Sequence, residues 1–210
     1  MAGPAPTYEL GKLHGGLRLS ARKKESTGLP IQSPPLPGQL ILPIDQHVGD
    51  PAQPLVGIGE RVLKGQLLAE PPGPIGAPVH ASSSGKVVAI EPWPVAARYG
   101  DPAPCIVIDC DGEDRALESW EEPRPYAELP ADTLLQKILQ GGIVGLGGAV
   151  YPTAQKLMQA VSGDLDFLIL NGAECEPYIS CDDMLMRERA HDIVSGARIL
   201  LHALQLDCAY

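Results

Sequence analysis

The chain has 210 residues, with 16 Lys+Arg against 26 Asp+Glu and a formal net charge of −10. That balance leaves no basic surface to neutralise phosphates, which excludes nucleic acid as a partner. No apolar run approaches the ~20 residues a membrane helix requires, so no direct span is expected and any link to a bilayer must come through partner subunits. The length allows one large or two small domains, and 23 Gly with 22 Pro point to many turns and short strands. Five cysteines (Cys105, Cys110, Cys175, Cys181, Cys208) show no C-x-x-C. Spacing alone therefore supplies neither a zinc nor a cluster site, and the thiols read as reduced, in the cytoplasm.

Residues 1–38 read as an extended N-terminal segment. Gly15-Gly16 precedes the basic group Arg22-Lys23-Lys24, which reads as a solvated edge, and four prolines follow before residue 38. Residues 39–112 hold short apolar runs separated by turn signals: Leu40–Leu42, Pro54–Val56, Leu67–Ala69, Lys86–Ile90 and Cys105–Ile108. This is the pattern of a small β sandwich or barrel. The two histidines in or beside these runs, His47 and His80, read as hydrogen-bonded structural residues rather than ligands. Residues 113–130 are an acidic, Pro-containing linker that includes Glu118, Glu121, Glu122 and Pro123.

In residues 131–210 the period becomes helical. Leu134–Leu139 predict a short helix closed by Gly141. There follows Gly141–Gly148, with five glycines in eight residues, and Pro152-Thr153 opens a second helix with Ala154, Leu157, Met158 and Val161 on one face. A bare loop feeding a helix N-terminus suits a phosphate, and Lys156 lies within reach as a countercharge. The order helix, glycine loop, helix is not that of a Rossmann fingerprint.

Phe167–Leu170 predicts a buried strand, and the polar cluster Asn171-Gly172-Ala173-Glu174-Cys175-Glu176-Pro177-Tyr178 follows it, where α/β folds place their ligands. Ser180–Asp183 predicts a capping box. A helical stripe runs from Met186 to Leu204, and Gln205–Tyr210 starts as another strand, which suggests a fragment of a longer protein.

Two resemblances carry further implications. Gly59–Ala69 with Ala77–Val87 resembles the lipoyl/biotinyl-like barrel-sandwich module, but the tip Pro71–Gly76 lacks the lysine that carriers modify. Gly142–Thr153 together with Asn171–Tyr178 resembles the flavin- and NADH-binding subunit of respiratory complex I. With Gly15-Gly16, Pro43–Gly49 and the barrel in the same order, it resembles most nearly the C subunit of Rnf-type ion-translocating electron transport complexes. The implied fold is α/β plus all-β: a lipoyl-like barrel-sandwich scaffold, then the first part of a complex I-type flavin-binding domain.

The implied cofactor is FMN. Gly145, Gly147, Gly148 and Lys156 would hold its phosphate, and Asn171, Glu174 and Glu176 would line the ring and the approach of NADH. The implied protein is a peripheral subunit on the cytoplasmic face of the inner membrane, passing electrons between NADH and ferredoxin through flavin and 4Fe-4S clusters. Those clusters belong to a C-terminal region absent from this chain, so the fragment alone is expected to be inactive. Leu146 and Val150 stand where the complex I motif has arginine and glycine. The alternatives are a flavin-dependent cobalamin reductase of a microcompartment and a non-catalytic docking scaffold.

Overall fold

A computed structural model of the protein describes residues 19–96, 101–118, 124–161 and 163–210. The N-terminal lead with Gly15-Gly16, and Glu121, Glu122 and Pro123 of the acidic stretch, lie outside the described residues.

Among these residues seven strands form two antiparallel sheets. They are β1 (Gln39–Pro43), β2 (Gln53–Pro54), β3 (Arg61–Val62), β4 (Leu67–Glu70), β5 (Val79–His80), β6 (Gly85–Pro94) and β7 (Pro102–Cys110). The first sheet has the order β1-β7-β6-β3 and the second β2-β4-β5. β7 is central in its sheet. Its run Cys105–Ile108 is buried at every residue, which is why that segment is continuously apolar rather than alternating. Val62, Val87, Ile106 and Ile108 of one sheet and Leu68, Ala69 and Val79 of the other share one core. Burial of each large aliphatic side chain there contributes about 1.5–3 kcal/mol. The expected strand over Pro54–Val56 is shorter, ending at Pro54, although the Leu55 N–H still donates to Leu68 O.

The turn entering β6 is held by polar groups inside that core. Ser83 and Ser84 are fully buried, and their hydroxyls donate to Asp114 Oδ1 (2.8 Å) and Asp111 Oδ1 (2.7 Å). A Cβ on Gly85 would run into Asp109 O, so only glycine fits. The Ser84 bond, with those from the Glu113 amide and Arg115, holds Asp111 down at about 2. Lys64 and then Ser83 lower Asp114 in the same way. Residues beyond Gly112 stay against the barrel: Lys64 N–H donates to Arg115 O, and Leu117 N–H to Lys64 O.

Four helices are described: α1 (Ala131–Gln140), α2 (Thr153–Val161), α3 (Cys181–Glu188) and α4 (Ala190–Leu204). Leu129, Leu134, Leu135, Leu157 and Ala203 form a second core joining α1, α2 and the end of α4. Four expectations are corrected. The left-handed residue closing α1 is Gly142 (φ +64°), whereas Gly141 before it is still in the right-handed region (φ −70°). Phe167–Leu170 is not a regular strand. It makes one parallel bridge, Leu168 to Ala209, with backbone bonds to Cys208 and Tyr210, because only this short stretch of the later segment lies beside it. The Met186–Leu204 stripe is broken at Arg189 (φ −128°), where α3 ends and α4 begins at Ala190. Ser180 occupies the N-cap of α3 but makes no capping bond through its side chain.

Those units are the described part of Met1–Ile31 with Gly172–Ala190, and Gln32–Asn171 with His191–Tyr210.

Candidate functional site

The glycine loop belongs to the larger unit. It begins where Gly142 turns the chain at positive φ, in a place where a Cβ would run into Pro78 O. From there residues 143–153 fold back on themselves. Val144 bridges Pro152, Gly145 N–H donates to Tyr151 O (2.8 Å), and Thr153 N–H donates to Ile143 O (2.9 Å). Val150 N–H closes the tip on Gly147 O (3.0 Å). The amide of Gly145 is therefore spent within the loop.

Gly147 and Gly148 differ from it. Neither lies at positive φ, and a Cβ on either would meet nothing within 4 Å. Neither backbone conformation nor packing demands glycine at these two positions, so they leave the tip backbone open. Leu146 stands 88% exposed beside them. Val150 holds φ +43°, a strained state for a β-branched residue, at the position where the resemblance expects glycine. Lys156 is exposed on the first turns of α2. A cavity of about 480 Å³ opens beside the tip, bordered by His47, Val48, Ala103, Gly148 and Val150. Asn171, exposed, ends this unit's polypeptide before Gly172.

Glu174 and Glu176 fall in the other unit. Glu174 is almost covered, its side chain only 7% exposed, and its carboxylate is committed locally. Oε1 accepts from the Asp182 N–H (2.9 Å) and Cys181 Sγ (3.2 Å), and Oε2 accepts from the Asp183 N–H at 3.5 Å. Glu174 thus supplies the cap of α3 that Ser180 does not, placing negative charge at the positive end of the helix. Burial pushes its pKa up, but the Asp182, Cys181 and Asp183 bonds and Lys23 outweigh that and leave it lowered. The same carboxylate, as acceptor, raises the Cys181 thiol.

Lys23 is not a solvated edge. Its ammonium donates to Glu176 O (3.1 Å) and Ile179 O and lies 3.8 Å from Glu174 Oε2, since the polar turn presents carbonyls that need a cation. Ala21 O accepts from Tyr178 N–H, and Arg22 lies over the Tyr178 ring at 5.8 Å. The Glu176 residue itself is exposed.

Both histidines of the barrel are engaged with backbone. His47 Nε2 accepts from Ala77 N–H (3.0 Å), and its Nδ1 lies 3.2 Å from Val48 O. Burial lowers the pKa of His80, partly offset by its hydrogen bond to the Gln140 backbone. Sequence reasoning missed two polar side chains that organise these regions, Lys23 and Gln155. Neither stands at a telling spacing. Gln155 sits one residue before Lys156 and is buried.

Comparison with known proteins gives two family matches. Residues 11–113 match the RnfC barrel sandwich hybrid domain, and residues 138–210 match the Nuo51 FMN-binding domain. The chain is 49% identical over 193 residues to the C subunit of the ion-translocating oxidoreductase complex of Pseudomonas aeruginosa, covering 90% of this chain and 24% of that protein. It is 45% identical over 194 residues to the corresponding C subunit of Serratia proteamaculans, covering 91% and 27%. With the C subunit of Rhodobacter capsulatus it shares 42% over 192 residues, covering 91% and 37%. The chain thus spans about a quarter to over a third of the length of these relatives.

Proposed function

From this chain's membership of the C-subunit family of ion-translocating oxidoreductase complexes, we propose that it carries the phosphate-binding part of an FMN site. The whole protein is then a peripheral subunit of a membrane-bound electron-transfer complex. The observation that carries this reading is the Gly147–Gly148 tip, open to approach and followed, after residues 149–152, by α2 with its exposed Lys156. The backbone of Gly147 and Gly148 would receive the phosphate, and Lys156 would balance its charge. Gly145 supports the tip through its bond to Tyr151.

Asn171, in the same unit as the glycine loop, carries both a donor and an acceptor of the kind that suits a heterocycle. Glu174 enters this reading as the residue that orders the Glu176 segment, since its carboxylate is committed to α3. When bound, FMN takes a pair of electrons from a hydride donor and passes them on singly. We assign NADH and ferredoxin as the redox partners, 4Fe-4S clusters to segments outside this sequence, and the cytoplasmic face of the inner membrane as the location. Among the described residues no helix is long and apolar enough to cross a membrane.

Flavin titration of the parent chain, Gly147→Val and Lys156→Ala tests the loop, with circular dichroism confirming the fold. Gly147→Val places a branched side chain where the phosphate must approach, and binding is expected to be lost. Lys156→Ala removes one charge-assisted contact of about 1.5–3 kcal/mol, a weakening of roughly 10- to 100-fold. Folded Gly147→Val protein that binds FMN as the parent does would sink the reading.

A further inference from the structure

The barrel tip Pro71–Gly76 and the segment Pro43–Gly49 have no role in the reading above, yet the first meets α2 just after the glycine loop and the second meets the loop itself. Gln155, the third residue of α2, is only 8% exposed. Its Nε2 donates to Pro74 O (2.8 Å) and Gly76 O (3.3 Å). Two carbonyl acceptors require the NH₂ end, so the orientation of the amide is fixed by its partners. Its Oε1 is buried without a hydrogen-bond partner among the described residues. A leucine or methionine would fill the same space but leave the Pro74 and Gly76 carbonyls without this donor, so the two donated bonds are what a carboxamide adds here.

A second set of contacts closes from the other side. Val48 N–H donates to Val150 O (3.3 Å), at the base of the glycine tip. His47, next to it, has Nε2 3.0 Å from both the amide nitrogen and the carbonyl oxygen of Ala77 and Nδ1 3.2 Å from Val48 O. The tip fits closely against this segment. A Cβ on Gly49 would run into Ile75 O, and one on Gly76 would crowd Pro71 and sit 3.1 Å from His47 Cε1.

We infer that the barrel is a positioning platform for the phosphate loop, with Gln155 clasping α2 to the hairpin tip and His47 holding the tip against the strand-end segment that pairs with Val150. Where carrier modules present a lysine at this tip, here the tip offers two backbone carbonyls to a neighbouring helix. Gln155 and His47 are positioning residues. They act on the ligand through the Gly147–Gly148 backbone, and the inference rests on the FMN reading of that loop.

The test uses the 210-residue chain, titrated with FMN and separately with riboflavin, which lacks the phosphate, alongside amide exchange over residues 143–153. Gln155→Met keeps the volume and removes both donors. The expected result is an FMN affinity about tenfold weaker, with riboflavin affinity unchanged within about twofold. Exchange over 143–153 is expected to accelerate while β6 and β7 keep parental rates. His47→Leu, which removes the acceptor on the other side of the clasp, is expected to give the same phosphate-selective loss.

Folded variants with parental FMN preference and parental exchange overturn the inference. Equal losses for both flavins, with faster exchange throughout the barrel, also overturn it, because the residues then only stabilise the fold. If the parent itself shows no preference for FMN over riboflavin, the phosphate-loop reading is what fails. Exchange over 143–153 in Gln155→Met then decides the clasp by itself: acceleration supports it and parental rates refute it.

Discussion

Two alanine substitutions in one loop should have opposite consequences, and the contrast bears directly on what the glycines are for. Gly142 turns the chain at φ +64°, and a Cβ there would run into the carbonyl oxygen of Pro78 in the barrel. Gly142→Ala therefore carries two costs. The left-handed backbone conformation costs an L side chain roughly 1–2 kcal/mol. Displacing a packed backbone carbonyl adds about 1–3 kcal/mol. Alanine recovers about 0.4–1 kcal/mol by restricting the unfolded chain. The net is a destabilisation of about 1–4.6 kcal/mol, or a fall in Tm of about 2–18 °C for a chain of this length. Gly147→Ala meets no atom within 4 Å and no positive φ, so only the unfolded-state gain applies. Its Tm should hold or rise slightly, while FMN affinity drops. Differential scanning calorimetry of both variants, with a flavin titration of each, makes the comparison. A Gly147→Ala protein as destabilised as Gly142→Ala would show that the fold itself demands the tip glycines, and the argument that they are bare for a ligand would fall.

Val150→Gly should leave stability unchanged or raise it by up to about 1 kcal/mol, since relief of the strained φ of about 1–3 kcal/mol outweighs or matches the entropy glycine adds to the unfolded chain; chemical denaturation measures this, and a loss above about 1 kcal/mol would refute the strain. Asp111 has a folded pKa of about 2, below the ordinary 3.8, so its contribution is present above pH 4 and is lost as the pH falls towards 2. Asp111→Asn should flatten that acid limb in urea titrations between pH 5 and 2, and an unchanged limb would place the acid sensitivity elsewhere. Residues 39–112 should carry no covalent lipoyl or biotinyl group, because the tip Pro71–Gly76 has no lysine; peptide mass analysis of the protein from its native host checks this.

What the sequence reveals depends on how local each cause is. The runs Leu40–Leu42, Lys86–Ile90 and Cys105–Ile108 reappear as β1, β6 and β7, because β-branched and aliphatic residues between Gly and Pro turns settle strand existence within the segment itself. The order helix, glycine loop, helix is legible for the same reason. The one-residue shift from Gly141 to Gly142 is not, because adjacent glycines are equally able to close a helix and Pro78, 64 positions earlier, decides which one turns. The break at Arg189 is hidden because the apolar spacing continues across it without interruption.

Glu174 shows the deeper limit. A carboxylate in a polar loop advertises capacity to bind something, and the sequence cannot rank an external heterocycle against a helix N-terminus seven residues on. The structure commits this carboxylate to the amides of Asp182 and Asp183. Lys23, 153 positions from Glu176 in the sequence, then holds the backbone between the two glutamates and their following turn. Gly147 and Gly148 are the converse case. Their spacing is legible as a bare loop in the sequence, and neither backbone conformation nor packing demands glycine there. The tip of the glycine loop thus stays open in the structure, whereas the Glu174 carboxylate is committed within its own segment.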